Sequence, residues 1–369
     1  MNDHERRGAR YRVDGEAAPR KGRGAVIAPT PRYSAVMRET FDDGWDTTSE
    51  PPPPLQTQVS EEKARTLLTH NESPDVPFAQ SVNPYRGCEH GCVYCFARPS
   101  HAWLDLSPGL DFERLLTAKV NAAEVLRREL AAPGYRCQPI AIGASTDAYQ
   151  PLERRYRLSR EILELMVDTR HPCTLITKSA LIERDLDLLT QLARDELVEV
   201  HVSVTTLDHE LARRMEPRAT APTRRIELMR RLVSAGIPTS VIVAPIIPGL
   251  TDHELEAILE TAAEAGAQHA SYVVLRLPLE ISPMFRAWMA HHYPLKSARV
   301  MNLIRGMRGG KDYDSDFGQR MSGAGPVAEL LARRFETASR KLGLARTRRT
   351  LATSHFRPPA RDARQFSLF

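Results

Sequence analysis

Cys173-Thr174-Leu175-Ile176-Thr177, an amphipathic segment over Arg184–Ala193, then Val198-Glu199-Val200-His201-Val202-Ser203-Val204-Thr205: this succession decides the fold. The two outer runs are short, apolar and rich in β-branched residues, and the segment between them repeats apolar residues at three- and four-residue spacing. That is the pattern of a strand, a crossover helix and a parallel strand. It extends in both directions. Ala79–Pro84 and Pro139–Ala144 upstream, and Thr239–Ala244 and Ala270–Leu275 downstream, read as further strands, with helices over Phe112–Leu130, Arg160–Asp168, Thr223–Ser234 and Asp252–Ala265. Six strands alternating with helices predict an α/β protein built as a β/α barrel, complete or open. Asp111 is placed to cap the helix beginning at Phe112, and Thr251 with Glu254 has the form of a capping box.

Beyond the sixth strand, Met284–His291, Lys296–Met307 and Val327–Leu342 read as helices that cover the barrel's open side or bottom. The chain therefore divides into a leader over 1–74, a β/α core over 75–280, a helical extension over 281–344 and a tail over 345–369. The leader is rich in Arg, Pro and Gly and contains the spacer-like run Pro51–Pro54, so it is predicted to be mostly disordered. Within it, Gly22-Arg23-Gly24-Ala25 is a candidate strap across the domain. The tail beyond Gly343 reads as basic and flexible.

With 369 residues, 42% of them hydrophobic, the chain is long enough to bury a sizeable core. Its net charge of +5 is uneven: Arg6, Arg7, Arg10, Arg12, Arg20, Lys21 and Arg23 crowd one end and Arg346, Arg348, Arg349, Arg357, Arg361 and Arg364 the other. Both ends suit a polyanion or a solvated arm. No apolar run approaches the roughly 18 residues of a membrane span, and the start is charged where a secretory signal would be apolar, so a cytoplasmic protein with no membrane contact is expected. Five cysteines, three of them within eight residues, point to a metal or cluster site instead of a disulfide framework. Cys137 and Cys173 read as small buried hydrophobes.

The three close cysteines lie in Asn83-Pro84-Tyr85-Arg86-Gly87-Cys88-Glu89-His90-Gly91-Cys92-Val93-Tyr94-Cys95-Phe96-Ala97-Arg98, directly after the first strand and thus at the barrel's C-terminal mouth. Three thiolates can hold three irons of a [4Fe–4S] cube and leave the fourth open. The alternative is a structural zinc completed by His90 or His101, although the second Cys-x-x-Cys knuckle usual in such sites is missing.

The spacing C-x-x-x-C-x-aromatic-C, with Tyr94 as the aromatic, resembles the radical S-adenosylmethionine (SAM) superfamily. Together with Ile142-Gly143, Thr146-Asp147-Ala148-Tyr149-Gln150-Pro151-Leu152-Glu153 and Thr177-Lys178-Ser179, it is similar to the spore-photoproduct-lyase-like branch, from about Asn83 to Leu344. The resemblance implies a partial (β/α)6 TIM-like barrel of the radical SAM type, with C-terminal helices and disordered tails. Cys88, Cys92 and Cys95 would hold a [4Fe–4S] cluster that splits S-adenosylmethionine into methionine and a 5′-deoxyadenosyl radical. Ser145, Thr146 and Asp147 would hold its amino group, Lys178 its carboxylate, and Ser203 would be a further polar contact. Tyr94 would lie near the adenine, and Ala244–Leu250 would form the adenine-side loop.

The implied substrate is a nucleic acid, DNA favoured, with RNA, peptide or metabolite as alternatives and a reductase as electron donor. One departure is that Ala144 stands about where spore photoproduct lyase carries a cysteine that returns a hydrogen atom. The last five residues, Gln365-Phe366-Ser367-Leu368-Phe369, resemble a sliding-clamp docking peptide. A non-catalytic zinc-binding clamp adaptor is the reading from another class.

Overall fold

The computed structural model describes residues 19–34, 55–345 and 349–360. Among them ten strands form: β1 (Gln58–Glu62), β2 (Thr69–His70), β3 (Gln80–Val82), β4 (Tyr85–Arg86), β5 (Leu115–Lys119), β6 (Ile140–Ile142), β7 (Cys173–Thr177), β8 (Val198–Ser203), β9 (Thr239–Ile246) and β10 (His269–Val274). Period-two alternation decides their faces. In β7 to β9 the residues Leu175, Val200, Val202, Val241 and Val243 pack outward in one apolar cluster with Ile162 and Met166 of the helix Leu158–Thr169 and Leu189 of the helix Leu186–Arg194. The alternate residues Thr174, Ile176, Glu199, His201, Ser203, Ser240 and Ile242 take the opposite face, which mixes polar side chains with branched apolar ones.

The main sheet runs β10-β9-β8-β7-β6-β3-β2. From β3 to β10 each strand lies parallel beside its predecessor, and β2 pairs antiparallel on the β3 edge. The six-strand β/α sequence reading thus holds, as a partial barrel whose two edge strands do not meet. A second sheet, β1-β5-β4, lies beside it.

Of the C-terminal helices, Ile281–His292 and Pro294–Gly306 share an apolar cluster with the cysteine-loop residues Val93 and Tyr94 and with Ala25, Val26 and Ile27. They flank the mouth. The helix Pro326–Lys341 instead packs outside the barrel, where Arg334 pairs with Glu256. No helix among the described residues is long and apolar enough to cross a membrane.

Five expectations need correction. The predicted helix Phe112–Leu130 is a short helix, Leu110–Arg114, then β5, then a helix Ala122–Leu130, because residues 115–119 pair in register with β1. That partner comes from the stretch read as leader, so 1–74 is not unstructured throughout: β1 and β2 are strands, and Ala25, Val26 and Ile27 are buried. Asp111 does not cap; Gly109 holds that position, while the Asp111 carboxylate accepts from the Ser107 N–H at 3.1 Å. The capping box does not close, since Glu254 instead binds the Thr206 hydroxyl at 2.6 Å and Thr251 accepts from the Ile247 N–H at 2.9 Å.

The tail is also ordered where it is described, over residues 349–360. Leu351 is buried, Phe356 sits edge-on against Tyr135 and His171 with centroids at 5.5 and 5.0 Å, and the Arg357 N–H donates to the Thr169 carbonyl at 2.8 Å. Tyr135, His171 and Glu196, whose carbonyl receives the Ala352 N–H, all precede strands, so the segment crosses the barrel's bottom. Phe356→Ala should lower stability by about 2 kcal/mol, below the value for a fully buried ring. Burial pushes His171 down to about 4. Because the folded state resists its protonation, stability should be complete above about pH 6.5 and decline toward pH 4. Urea unfolding across that range checks both statements.

Candidate active site

The cysteine loop leaves β3 through Asn83 and Pro84 and passes β4 before the three thiols. Cys88 and Cys92 are buried and Cys95 is half-buried. The loop is held from four sides. Arg98, with no exposed surface, donates from Nε to the Cys92 carbonyl at 2.8 Å and from Nη2 to the Gly91 carbonyl at 3.0 Å and to Glu113 at 2.6 Å. Its Nη1 donates to the Pro108 and Gly109 carbonyls at 3.0 and 2.9 Å.

Glu113 in turn accepts from the Gly24 and Ala25 N–H groups at 3.0 and 2.8 Å, and Arg23 donates to the Glu113 carbonyl at 2.7 Å. The strap suspected at Gly22–Ala25 is thus tied to the cysteine loop. A Cβ on Gly24 would stand 1.8 Å from the Gly91 oxygen, and one on Gly91, at φ +68, would meet the Glu113 carboxylate at 2.8 Å.

From the β6 side, Gln150 spans the loop: its amide nitrogen donates to the Gly87 carbonyl at 3.1 Å and its oxygen accepts from the Glu89 N–H at 2.8 Å. Tyr85 donates to buried Glu153. From the β8 side, the Val93 N–H donates to the Met215 carbonyl at 3.0 Å, and Glu216 accepts from Tyr94, from Thr205 at 2.7 Å and from Arg225, all buried. Burial works to raise the Glu216 carboxyl, but Arg225 and Lys178 outweigh it and hold it down at about 2.

The site residues named from sequence fall into two groups. Cys88, Cys92, Cys95, Tyr94, Lys178 and Ser145 gather at the mouth: the Lys178 ammonium lies 5.8 Å from the Tyr94 ring centre, its charge is felt by Cys92, and Ser145 is exposed on a cavity wall. Thr146, Asp147 and Ser203 are committed to the protein. Thr146 donates to the Tyr85 carbonyl at 3.3 Å, and Ser203 donates to the Ala244 carbonyl at 3.2 Å.

Asp147 accepts at Oδ1 from the Tyr149 N–H at 2.9 Å and the Thr177 hydroxyl at 2.7 Å, and at Oδ2 from the Lys178 N–H at 2.7 Å, with His90 Nδ1 at 3.3 Å. Four contacts fill a carboxylate's acceptor sites, so Asp147 is a positioning post and not a free acceptor. Burial is the largest single influence and works to raise its carboxyl, but His90, the Lys178 N–H and the Thr177 hydroxyl together outweigh it and hold it at about 2. Asn83, whose side-chain oxygen accepts from the Ser145 and Thr146 N–H groups at 2.8 and 3.2 Å, joins His90, Glu113, Gln150 and Glu216 in carrying the support that sequence reasoning did not assign. The density of polar residues in the quoted motifs hinted at Asn83, His90 and Gln150, whereas Glu113 and Glu216 lie outside those motifs.

The donor set fits an iron–sulfur cluster. Three soft sulfur donors converge on one buried loop, and Cys92 is pushed up to about 12 mainly by burial, so as thiolates they require a cationic partner. Among the described residues, no three His, Cys, Asp or Glu side chains approach closely enough to share one metal ion. Ligands of a cube each take a different iron and stand further apart. His90 and His101, the candidates for completing a zinc site, face Asp147 and the Leu115 carbonyl instead.

Beside the loop opens a cavity of about 470 Å³, lined by Arg32, Tyr33, Phe96, Trp103, Ser145 and Leu279 among others. Its volume lies in the range of small-ligand sites, about 300–1,000 Å³.

Residues 82–262 match the family model described as the Radical SAM superfamily. An uncharacterised protein of Mycobacterium tuberculosis is 39% identical over 232 residues, which are 62% of this chain and 68% of that protein. A radical SAM Nα-GlyT isomerase of Pseudomonas phage M6 is 25% identical over 201 residues, covering 52% and 39%. Among solved structures, spore photoproduct lyase complexed with dinucleoside spore photoproduct superposes with a TM-score of 0.56 at 14% identity, covering 78% of this chain and 80% of that one.

Glu113→Ala leaves Arg98 buried without its anion and should cost about 3–5 kcal/mol. Gly24→Ala should leave the barrel folded but reduce the iron retained after anaerobic reconstitution. Thermal unfolding and iron per chain read the two effects separately, and full iron retention by Gly24→Ala would show that the strap does not govern the loop.

Proposed function

This chain belongs to the radical SAM superfamily, whose members use a [4Fe–4S] cluster and S-adenosylmethionine, and on that premise we propose that it abstracts hydrogen from a nucleic-acid substrate, DNA favoured, at the barrel mouth. When bound, the cluster and S-adenosylmethionine supply a 5′-deoxyadenosyl radical. Everything else falls to the chain's own residues.

Cys88, Cys92 and Cys95 would hold three irons and leave the fourth for a ligand that is not a side chain. Lys178 and Ser145 would bind the methionyl end of S-adenosylmethionine, with Asp147 fixing Lys178 through its backbone N–H. Tyr94 stays rigid because Glu216 and Thr205 fix its hydroxyl. Ile247 and Leu250 share an apolar cluster with Val93, and this packing would exclude water from the adenine side.

The observation that carries the substrate reading is the cavity adjoining the cysteine loop, whose rim combines exposed aromatic rings with Arg32. The fold likeness to spore photoproduct lyase, solved in complex with dinucleoside spore photoproduct, supports it. Ala144 precedes Ser145, and Cys137 lies before β6 toward the other end of the barrel. Neither position offers the mouth a thiol as final hydrogen donor, so the lesion or base would differ from the spore thymine dimer. A cytoplasmic enzyme drawing electrons from a reductase completes the reading. A clamp tether through Gln365, Phe366, Ser367, Leu368 and Phe369, which lie outside the described residues, would leave the domain beyond the bottom-face anchor at 349–360.

The test is anaerobic reconstitution with iron and sulfide, then dithionite and S-adenosylmethionine, with chromatography for 5′-deoxyadenosine. Formation of 5′-deoxyadenosine that is lost in each of Cys88→Ala, Cys92→Ala and Cys95→Ala is expected. Transfer of deuterium from labelled DNA, against labelled RNA, reads the substrate class. One zinc per chain and no 5′-deoxyadenosine would overturn the proposal in favour of the adaptor.

A further inference from the structure

The rings around the cavity form one exposed patch. Tyr33, Phe96, Trp103 and Leu279 are 55, 48, 72 and 46% exposed. Tyr33 and Trp103 lie with centroids 4.4 Å apart and planes tilted by 30°, and the Arg32 guanidinium stands 5.4 Å from the Tyr33 ring centre. Next to Phe96, the Arg276 guanidinium lies 5.3 Å from that ring's centre and 6.0 Å from that of Tyr313. A contiguous exposed apolar patch marks a binding surface, whereas scattered exposed rings do not.

The patch is also preorganised. The strap that carries Tyr33 is pinned by the Ser107 hydroxyl donating to the Pro29 carbonyl at 2.7 Å, by Arg32 donating to the Pro99 carbonyl at 3.3 Å, and by the Arg32–Glu280 pair at 2.9 Å. Rings already fixed lose little entropy when a partner lands on them.

Charge selects among partners with flat apolar faces. Arg276 donates to the Tyr313 hydroxyl at 3.3 Å and contacts the Met321 sulfur at 3.6 Å, while its buried Nε has no hydrogen-bond partner. Neither of those contacts neutralises its charge, so it is suited to an anion. A ring platform with a cation at its edge fits a base and its neighbouring phosphate. Duplex DNA keeps its base faces stacked inside and cannot use such a ledge until a base is unpaired.

We propose that Tyr33 and Trp103 form a ledge that stacks an unpaired base of a single-stranded or locally opened nucleic acid, with Arg276 neutralising an adjacent phosphate. This inference rests on the nucleic-acid reading above and narrows it. The ledge would bring the adjoining nucleotide to the cavity beside the cysteine loop. Tyr33 lies outside the residues matched by the family model, and Trp103 lies within them, so the ledge joins the N-terminal strap to the matched segment.

The experiment is fluorescence anisotropy of a labelled oligonucleotide with the reconstituted holoenzyme, comparing single strand with duplex of the same sequence. The single strand should bind more tightly and quench Trp103 emission. Trp103→Ala and Tyr33→Ala should each weaken it about tenfold, with Trp103→Phe retaining most of the affinity. Arg276→Ala should reduce the slope of log affinity against log salt by about one. Equal affinity for duplex, unchanged binding by the ring variants, or preference for an aromatic peptide over the oligonucleotide would overturn the ledge. Measuring 5′-deoxyadenosine on the same wild-type sample keeps the two readings apart: a radical enzyme with an indifferent ledge loses only this inference.

Discussion

The structure depends on one buried ion pair, Arg98 with Glu113. Both side chains are without exposed surface, and Arg98 uses all three guanidinium nitrogens on the Cys92, Gly91, Pro108 and Gly109 carbonyls and on Glu113. A planar fork of five donors can meet five acceptors at once, and a lysine cannot. Buried pairs of this kind contribute little net stability, because desolvation offsets the attraction. What this one supplies is geometry. It fixes two carbonyls of the cysteine loop, and through Glu113 it joins the second sheet's flank and the N-terminal strap to the same point.

Two further carboxylates, Glu216 buried and Asp147 nearly so, repeat the device. Glu216 with Arg225 sets Tyr94, and Asp147 with His90 and Thr177 sets the loops after β6 and β7. None of the three carboxylates is free for a ligand, which leaves Ser145, Lys178 and the thiols as the groups facing the mouth. A site that binds an anionic cluster with three thiolates needs its carboxylates held within the fold: Glu113 and Glu216 lie against Arg98 and Arg225, and Asp147 lies against His90 and three further donors. The negative charge is spent on positioning.

The main barrel was legible because its information is local. Cys173–Thr177 and Val198–Ser203 reveal themselves by composition, and the helices between them by spacing, so all six strands appear within a few residues of their expected ends. The cysteine spacing was legible for the same reason. The second sheet was not: Leu115–Lys119 becomes a strand only because Gln58–Glu62 arrives beside it, and no window of sequence contains both. The anchored tail escaped likewise, since Phe356 looks like any residue of a basic arm until Tyr135 and His171 receive it. Asp147 shows the limit for the site. Its motif marks it as important, yet whether a carboxylate holds a ligand or its own neighbours is decided mostly by donors thirty and more residues away, Thr177, Lys178 and His90.

The strap changes what counts as the active unit. The matched family segment begins at residue 82, yet Gly24 and Ala25 bind Glu113, and Arg32 and Tyr33 wall the cavity. A β/α core that began at residue 75 would keep the six parallel strands but lose β1, β2 and one wall of its site, along with two of the donors that satisfy a buried carboxylate. Assembly of the cluster loop and shaping of the substrate cavity are therefore coupled through one short segment. Both need the glycine at position 24, where the two backbones meet too closely for any side chain.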